Sequence, residues 1–336
     1  MSETLLCLAA ALLGWALTGL VLRVQDARHH ARPNERSMHV RPTPVGGGLA
    51  IIAAAAILWP WFSAPLGERE LVLLAGFLAL AAMSWIDDLR PLWPVTRFAM
   101  QAVAVAICII HMPVDQRVFP QVALPLERAA LAIGWLWFIN LYNFMDGIDG
   151  LAGTEAVAVT LGYVAVAAVA SLKLNLAPLA IVIAGASVGY LMWNWHPARI
   201  FMGDVGSIPL GFVLGWLMID LGTHGLLIAA LALPLYFIAD ATITLARRLA
   251  AGARPWQAHR THFYQRAVLG GITHADVVRR VIAADTVLLL AAVLSVARPW
   301  TALALAALAV ATLLWSLERS SRAGPTRPTS DSRAAA

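Results

Sequence analysis

The sequence predicts an all-α polytopic membrane protein, on three observations. Of its 336 residues 60% are hydrophobic and 13% charged, with a mean hydropathy of +0.74. That composition cannot coat a soluble globule of this length, so the chain must sit in lipid. Apolar stretches long enough to cross a bilayer recur from end to end, about eleven of them. The basic residues then collect in alternate loops, which fixes an orientation.

In order, the spans fall at about 5–22, 45–63, 70–86, 98–113, 125–141, 155–172, 176–193, 208–220, 224–244, 281–297 and 299–317. The first has no basic residue before it and Arg23 directly after it, the reverse of a secretory signal, and reads as a retained helix. Cys7 and Cys108 both lie inside apolar runs, as packing residues rather than a disulfide or zinc framework. The stretch 208–220 is short, and the last two spans are separated only by Arg298-Pro299. Residues 1–317 therefore form one membrane domain. The tail 318–336, rich in Ser, Pro, Arg and Ala, has no apolar period and is expected to be disordered on the cytoplasmic side. No internal repeat stands out, which weakens an inverted-repeat transporter.

With an odd number of spans the termini lie on opposite sides. Placing the N-terminus in the periplasm leaves only Arg69, Arg117, Arg128, Lys173 and Arg298, of 24 Lys+Arg, outside the cell. The C-terminus is then cytoplasmic. All four polar clusters of the chain fall on the cytoplasmic face: Asp87-Asp88, Asp146 with Asp149, Asp204, and His259 with His262. Carboxylates beside hydrocarbon are costly and usually face water, a metal or a partner, so these positions are candidate functional residues.

Each cluster has a chemical reading. Loop one ends in Arg41-Pro-Thr-Pro-Val-Gly-Gly-Gly48, where consecutive glycines permit close backbone approach. Such a turn can present N–H groups to an anion, or simply break the chain before a helix. The adjacent Asp87 and Asp88 repel, which suits a general base or a cation site. Asp146 and Asp149 lie in Asn140-Leu-Tyr-Asn143-Phe-Met-Asp146-Gly-Ile-Asp149-Gly150, and Asp204 in Phe201-Met-Gly-Asp204-Val-Gly-Ser207. All-oxygen ligation of this kind suits magnesium, whereas zinc favours sulfur or more imidazole. His259 and His262 flank Arg260 in a long basic loop. Three apart on a helix they would share a face, converging on a phosphate or sugar; the alternative is a basic loop touching anionic lipid.

In order and separation these motifs resemble the polyprenyl-phosphate N-acetylhexosamine-1-phosphate transferase superfamily over residues 1 to about 317, and their wording is nearer the O-antigen initiating branch than the peptidoglycan branch. The resemblance implies eleven helices in a bacterial inner membrane, a cytoplasmic magnesium site, and transfer of a sugar 1-phosphate from a UDP-N-acetylhexosamine to undecaprenyl phosphate with release of UMP. It allows a homodimer, and no nucleic-acid partner is expected. Residue by residue, Asp204 resembles the family's metal ligand, Asp87 the carboxylate that deprotonates the lipid phosphate, and Asp88 its support. Asn143, Asp146, Ile148 and Asp149 match the segment that contacts the nucleotide, with Asp149 also a catalytic candidate. Phe201 matches an aromatic that stacks on uracil, with Asn194 on the same wall. His259, Arg260 and His262 lie in a segment that carries part of the resemblance and are candidate substrate-binding residues. Where the family often has lysines, this chain offers Arg41 and Arg97, and a guanidinium can hold phosphate as well.

Three alternatives are distinguishable. An ion-coupled transporter would carry its acids near mid-span, and Asp240 and Asp285 come closest to that. A transferase using a CDP-linked lipid would compress its acids into one short segment. The third, the peptidoglycan precursor translocase, lies within the same superfamily.

Overall fold

A computed structural model describes residues 2–24, 30–31, 42–63, 65–254 and 259–322. Among them are thirteen α-helices and one two-stranded antiparallel ribbon, β1 (His30–Ala31) with β2 (Thr43–Pro44). Six helices are long and apolar enough to cross a membrane: α1 (Glu3–Val24), α3 (Glu68–Leu89), α6 (Leu151–Val169), α7 (Ala177–Asn194), α8 (Asp204–Thr223) and α13 (Pro299–Arg322). Two shorter apolar helices are α2 (Gly48–Phe62) and α4 (Pro94–Ile110). The remainder are α5 (Leu124–Met145), α9 (Leu227–Ala232), α10 (Leu235–Ala250), α11 (Phe263–Leu269) and α12 (His274–Ser295).

Helix α8 is the hub. It is buried almost all round and packs on α2, α3, α5, α6 and α9. A helix without a polar stripe belongs in the middle of a bundle. Lipid supplies no hydrophobic drive between helices, so close packing of small residues has to. At the α1–α7 contact a Cβ on Gly189 would lie 2.1 Å from the Ala11 carbonyl oxygen. The perimeter is apolar and exposed, with Leu12 at 68% and Trp61 at 81%. Water would not tolerate that surface, and hydrocarbon does.

The eleven apolar stretches each meet a helix, with four differences in detail. The stretch 224–244 breaks at Leu233-Pro234 into α9 and α10, because proline has no N–H to continue the helical ladder. The short stretch 208–220 extends to twenty residues, since Asp204 is already helical. Helix α12 begins at His274 rather than 281, capped by the Thr273 hydroxyl, which accepts the Asp276 N–H at 3.1 Å. The expected tail boundary at 317 falls inside α13. Glu318 is held there by Arg266 at 2.8 Å and Arg322 at 3.2 Å, so the helix runs on to Arg322. Residues 323–336 lie outside the described residues.

Helices that alternate in direction bring like ends together. Asp87 and Asp88 end α3, Arg97 begins α4, Asn143 ends α5, Asp149 precedes α6, Asn194 ends α7 and Asp204 begins α8. All seven residues, at six helix ends, therefore lie at one end of the bundle.

Candidate active site

Asp204 is where four elements meet. The glycine before it adopts φ +75, a conformation open to glycine, and a Cβ there would lie 2.7 Å from Val45 and 3.2 Å from Asp88 Oδ2. Arg97, in the first turn of α4, donates from Nη2 to Asp204 Oδ2 at 2.6 Å, and its Nη1 lies 3.0 Å from Asp87 Oδ2. The other Asp204 oxygen accepts from Asn143 Nδ2 at 2.8 Å, which also reaches Ser207 Oγ at 2.8 Å. Asp87 closes the α3–α4 turn as well, accepting the Leu92 N–H at 2.6 Å. Asp88 is exposed and accepts the Val205 N–H. Acids distant in sequence are thus cross-braced by one guanidinium and one amide.

The α5–α6 connection carries the second acidic pair. Burial, and then the nearby Asp204 and Asp149, push the Asp146 carboxyl well above the usual carboxylate range. Burial would raise Asp149 too, but hydrogen bonds from His274, His196 and the Ala198 N–H outweigh it and hold that carboxyl below its ordinary value. Ile148 is buried beside them. Gly147 approaches Tyr264 so closely that a Cβ would lie 2.1 Å from the phenol oxygen, which donates to the Phe144 carbonyl. Asn194 is 5% exposed and spends both ends of its amide on backbone, accepting from Gly150 N–H and donating to the Ile200 carbonyl, each at 2.8 Å. It braces the Asp149 loop to the segment that leads into Asp204.

The glycine turn does not present its N–H groups to an anion. Gly46 and Gly47 donate to the Phe201 carbonyl at 3.1 and 2.8 Å, and Gly48 donates to Met202 at 3.0 Å. Phe201 returns its own N–H to Pro44, and Val45 and Phe201 form a parallel bridge. The glycines are there for close approach: a Cβ on Gly48 would lie 2.3 Å from Gly206 Cα. Arg41 lies outside the described residues.

The histidine loop is not helical at His259 and His262, because α11 starts only at Phe263. The two imidazoles nevertheless stack, with centroids 5.1 Å apart and planes 29° from parallel. His259 faces the Thr261 hydroxyl at 2.9 Å, and Arg260 is half-buried next to it. His262 is buried, with Nδ1 3.1 Å from Asp240 Oδ1. Asp240 also accepts the N–H groups of Phe263 and Tyr264 and the hydroxyls of Thr244 and Tyr236. This carboxylate holds the start of α11 in place.

Three residues of the site escaped the sequence reading. Asp240 was legible only as an acid in an apolar helix. His196 and His274 carried no motif of their own, and their meeting at Asp149 depends on how α7 and α12 dock. Asp149, His196 and His274 bring ligand-type atoms within 4.8 Å of one another. The direct contacts within that group are hydrogen bonds.

Comparison with known proteins identifies the family. A model described as glycosyl transferase family 4 matches residues 70–222, which include every acid of the cross-braced cluster. A decaprenyl-phosphate N-acetylglucosaminephosphotransferase of Mycolicibacterium smegmatis is 30% identical over 321 residues, covering 80% of this chain and 75% of that protein. A probable undecaprenyl-phosphate N-acetylglucosaminyl 1-phosphate transferase of Bacillus subtilis is 28% identical over 261 residues, covering 72% and 70%. A phospho-N-acetylmuramoyl-pentapeptide-transferase of Clostridium beijerinckii is 32% identical over 192 residues, covering 52% and 58%. The chain belongs to glycosyl transferase family 4, the polyprenyl-phosphate N-acetylhexosamine-1-phosphate transferases.

Proposed function

We propose that this protein transfers an N-acetylhexosamine 1-phosphate from a UDP-sugar to undecaprenyl phosphate, releasing UMP, and so initiates a lipid-linked surface polysaccharide such as O-antigen. The observation that carries the reading is the gathering of Asp87, Asp88, Asp146 and Asp204 around Arg97 and Asn143 at one end of the bundle. Two anionic phosphates must meet in such a reaction, and charge balance dominates its chemistry. The relatives named for polyprenyl-phosphate substrates support the same reading.

Asp88, Asp146 and Asp204 would hold a magnesium ion. The donors are all carboxylate oxygens, and the burial and neighbouring acids that raise Asp146 would both be offset by a dication. When bound, magnesium neutralises the pyrophosphate and stabilises the leaving UMP. An oxygen of the lipid phosphate attacks the β-phosphorus of the UDP-sugar, and the bond from that phosphorus to the oxygen of UMP breaks. Asp87 takes the proton of the lipid phosphate, and Arg97, poised between two carboxylates, receives the incoming charge. Asn143 and Asp149 hold the nucleotide, Phe201 stacks on its base, and the His259–His262 loop binds phosphate. Arg41 is assigned to phosphate binding by the sequence resemblance alone. An apolar cavity of about 290 Å³ between α5, α8 and α9 reaches Leu141, two residues short of Asn143, and offers room for prenyl units.

The helix bundle is read as eleven spans with a periplasmic N-terminus and a site facing the cytoplasm of a bacterial inner membrane. A transferase of this kind also accommodates a homodimer. The test is reconstituted protein given radiolabelled UDP-sugars, undecaprenyl phosphate and magnesium. UMP release that needs both lipid and magnesium is expected; no release with any UDP-N-acetylhexosamine refutes the reading. Labelled phosphate trapped on Asp149 without lipid acceptor would refute direct attack.

A further inference from the structure

Asp149 is held on one side only. His196 Nδ1 lies 2.6 Å from its Oδ2, His274 Nδ1 lies 3.3 Å from the same oxygen, and the Ala198 N–H reaches that oxygen at 3.1 Å. Among the described residues no hydrogen bond is recorded on Oδ1, and the residue is 6% exposed. The two imidazoles come from separate parts of the chain, one from the segment after α7 and the other from the first turn of α12. Their rings are 5.0 Å apart and tilted by 50°, so neither replaces the other. The Asp149 N–H also points at His274 Nδ1, at 3.4 Å, so that nitrogen either accepts from the backbone or donates to Oδ2, and the ionised carboxylate favours the donor form. An unprotonated Nδ1 would turn its lone pair toward the carboxylate, so the proton belongs on Nδ1.

We infer that His196 and His274 are positioning residues that fix which oxygen of Asp149 meets the substrate. Three donors on Oδ2 keep the carboxylate ionised and prevent it from rotating, leaving Oδ1 as the acceptor for the nucleotide sugar. A carboxylate aimed by an imidazole from behind is a recurring way to hold a reacting group within a fraction of an ångström. The energetic reason for two clamps is burial, because a carboxylate with a single neutral partner would take up a proton in a site this dry. Neither histidine needs to touch the substrate for this.

The activity readout rests on the sugar-phosphate transfer proposed above, so the test has a second arm that does not. In the first arm, His196→Ala and His274→Ala are each expected to impair the same parameter that Asp149→Asn impairs, by a fall in kcat or a rise in KM of at least about 10-fold. His→Asn keeps a donor where Nδ1 was and is expected to restore activity to within about threefold, whereas His→Gln puts its amide at the Nε2 position and is not. On an Asp149→Asn background, His274→Ala should have no further effect, because the acceptor is already altered. Multiplying effects, or Asn and Gln behaving alike, would overturn the inference. Melting in detergent checks that each variant is folded, and the Asn variants are the ones expected to fold normally. In the second arm, protein labelled with 15N-histidine is compared with Asp149→Asn in detergent. Among the nine histidine signals, those of His196 and His274, identified by their absence in the corresponding His→Asn variants, are expected to report the proton on Nδ1, and both should shift in Asp149→Asn. Unmoved histidine signals would overturn the clamp whatever the enzyme does. Shifted signals with no UMP release from native protein would keep the clamp and reject the transferase reading.

Discussion

Replacing Gly48 by alanine tests whether the cross-braced site depends on the approach of α2 to α8. The added Cβ would sit 2.3 Å from Gly206 Cα, 2.9 Å from Gly206 N and 2.9 Å from Met202 Cγ. Carbon atoms rest at about 3.5–4.0 Å, so the two backbones must part by roughly 1.2 Å or more. The obstacle is backbone, and no rotamer can relieve it. Overpacking of this kind costs about 1–3 kcal/mol. The activity effect should be larger in relative terms, because Gly206 is two residues from Asp204 and a shift of about 1 Å at a reacting group can cost about 100-fold. Gly134 supplies the control: a Cβ there meets nothing within 4 Å, and alanine in mid-helix should be neutral or gain up to about 1 kcal/mol. Thermal unfolding in detergent and UMP release would be measured for both variants. Gly48→Ala with native melting and native turnover would show that the α2–α8 contact does not position Asp204.

Asp204→Asn should abolish magnesium-dependent turnover while melting stays near native, because it removes charge at the node of the cluster without changing volume; near-normal UMP release would remove Asp204 from the site. Asp149 has its carboxyl depressed in the folded protein, so its stabilisation is present above the unfolded value of about 3.9 and is lost as pH falls toward the folded one. Asp149→Asn should therefore cost about 1.5–3 kcal/mol near pH 7. That deficit should shrink in acid, and a deficit that widens between pH 5 and pH 3 in denaturation curves (roughly the window of the shift) would contradict the assignment. Glu155 and Asp285 face the core of the bundle at 0% and 4% exposure, with no hydrogen-bond partner recorded among the described residues for either carboxyl. Two buried acids near each other without hydrogen-bond partners are costly, so Asp285→Asn should leave melting unchanged or raise it, and a clear loss would show that the acid has a hydrogen-bond partner of its own.

The sequence determined the class of this protein and pointed to the residues that are candidates for its chemistry. Composition alone placed it in lipid, since no arrangement of so few charged residues can coat a soluble chain of this length. The boundaries of the apolar stretches put Asp87, Asn143, Asp146 and Asp204 at helix ends, because a charged residue terminates a hydrophobic run wherever the run meets water. The glycine turn was visible as a place of close approach, but whether the partner was an anion or another backbone was not, because glycine serves both equally. Only the tertiary structure decided that its partner is the segment before Asp204, that Asp240 holds His262, and that His196 and His274 meet on one oxygen of Asp149. Those contacts join residues from 22 positions apart, His262 with Asp240, to 155 apart, Phe201 with Gly46. Periodicity is local and says which face of a helix is apolar. Which faces end up opposite each other is set by small-residue packing between helices, and no single stretch of sequence contains that information.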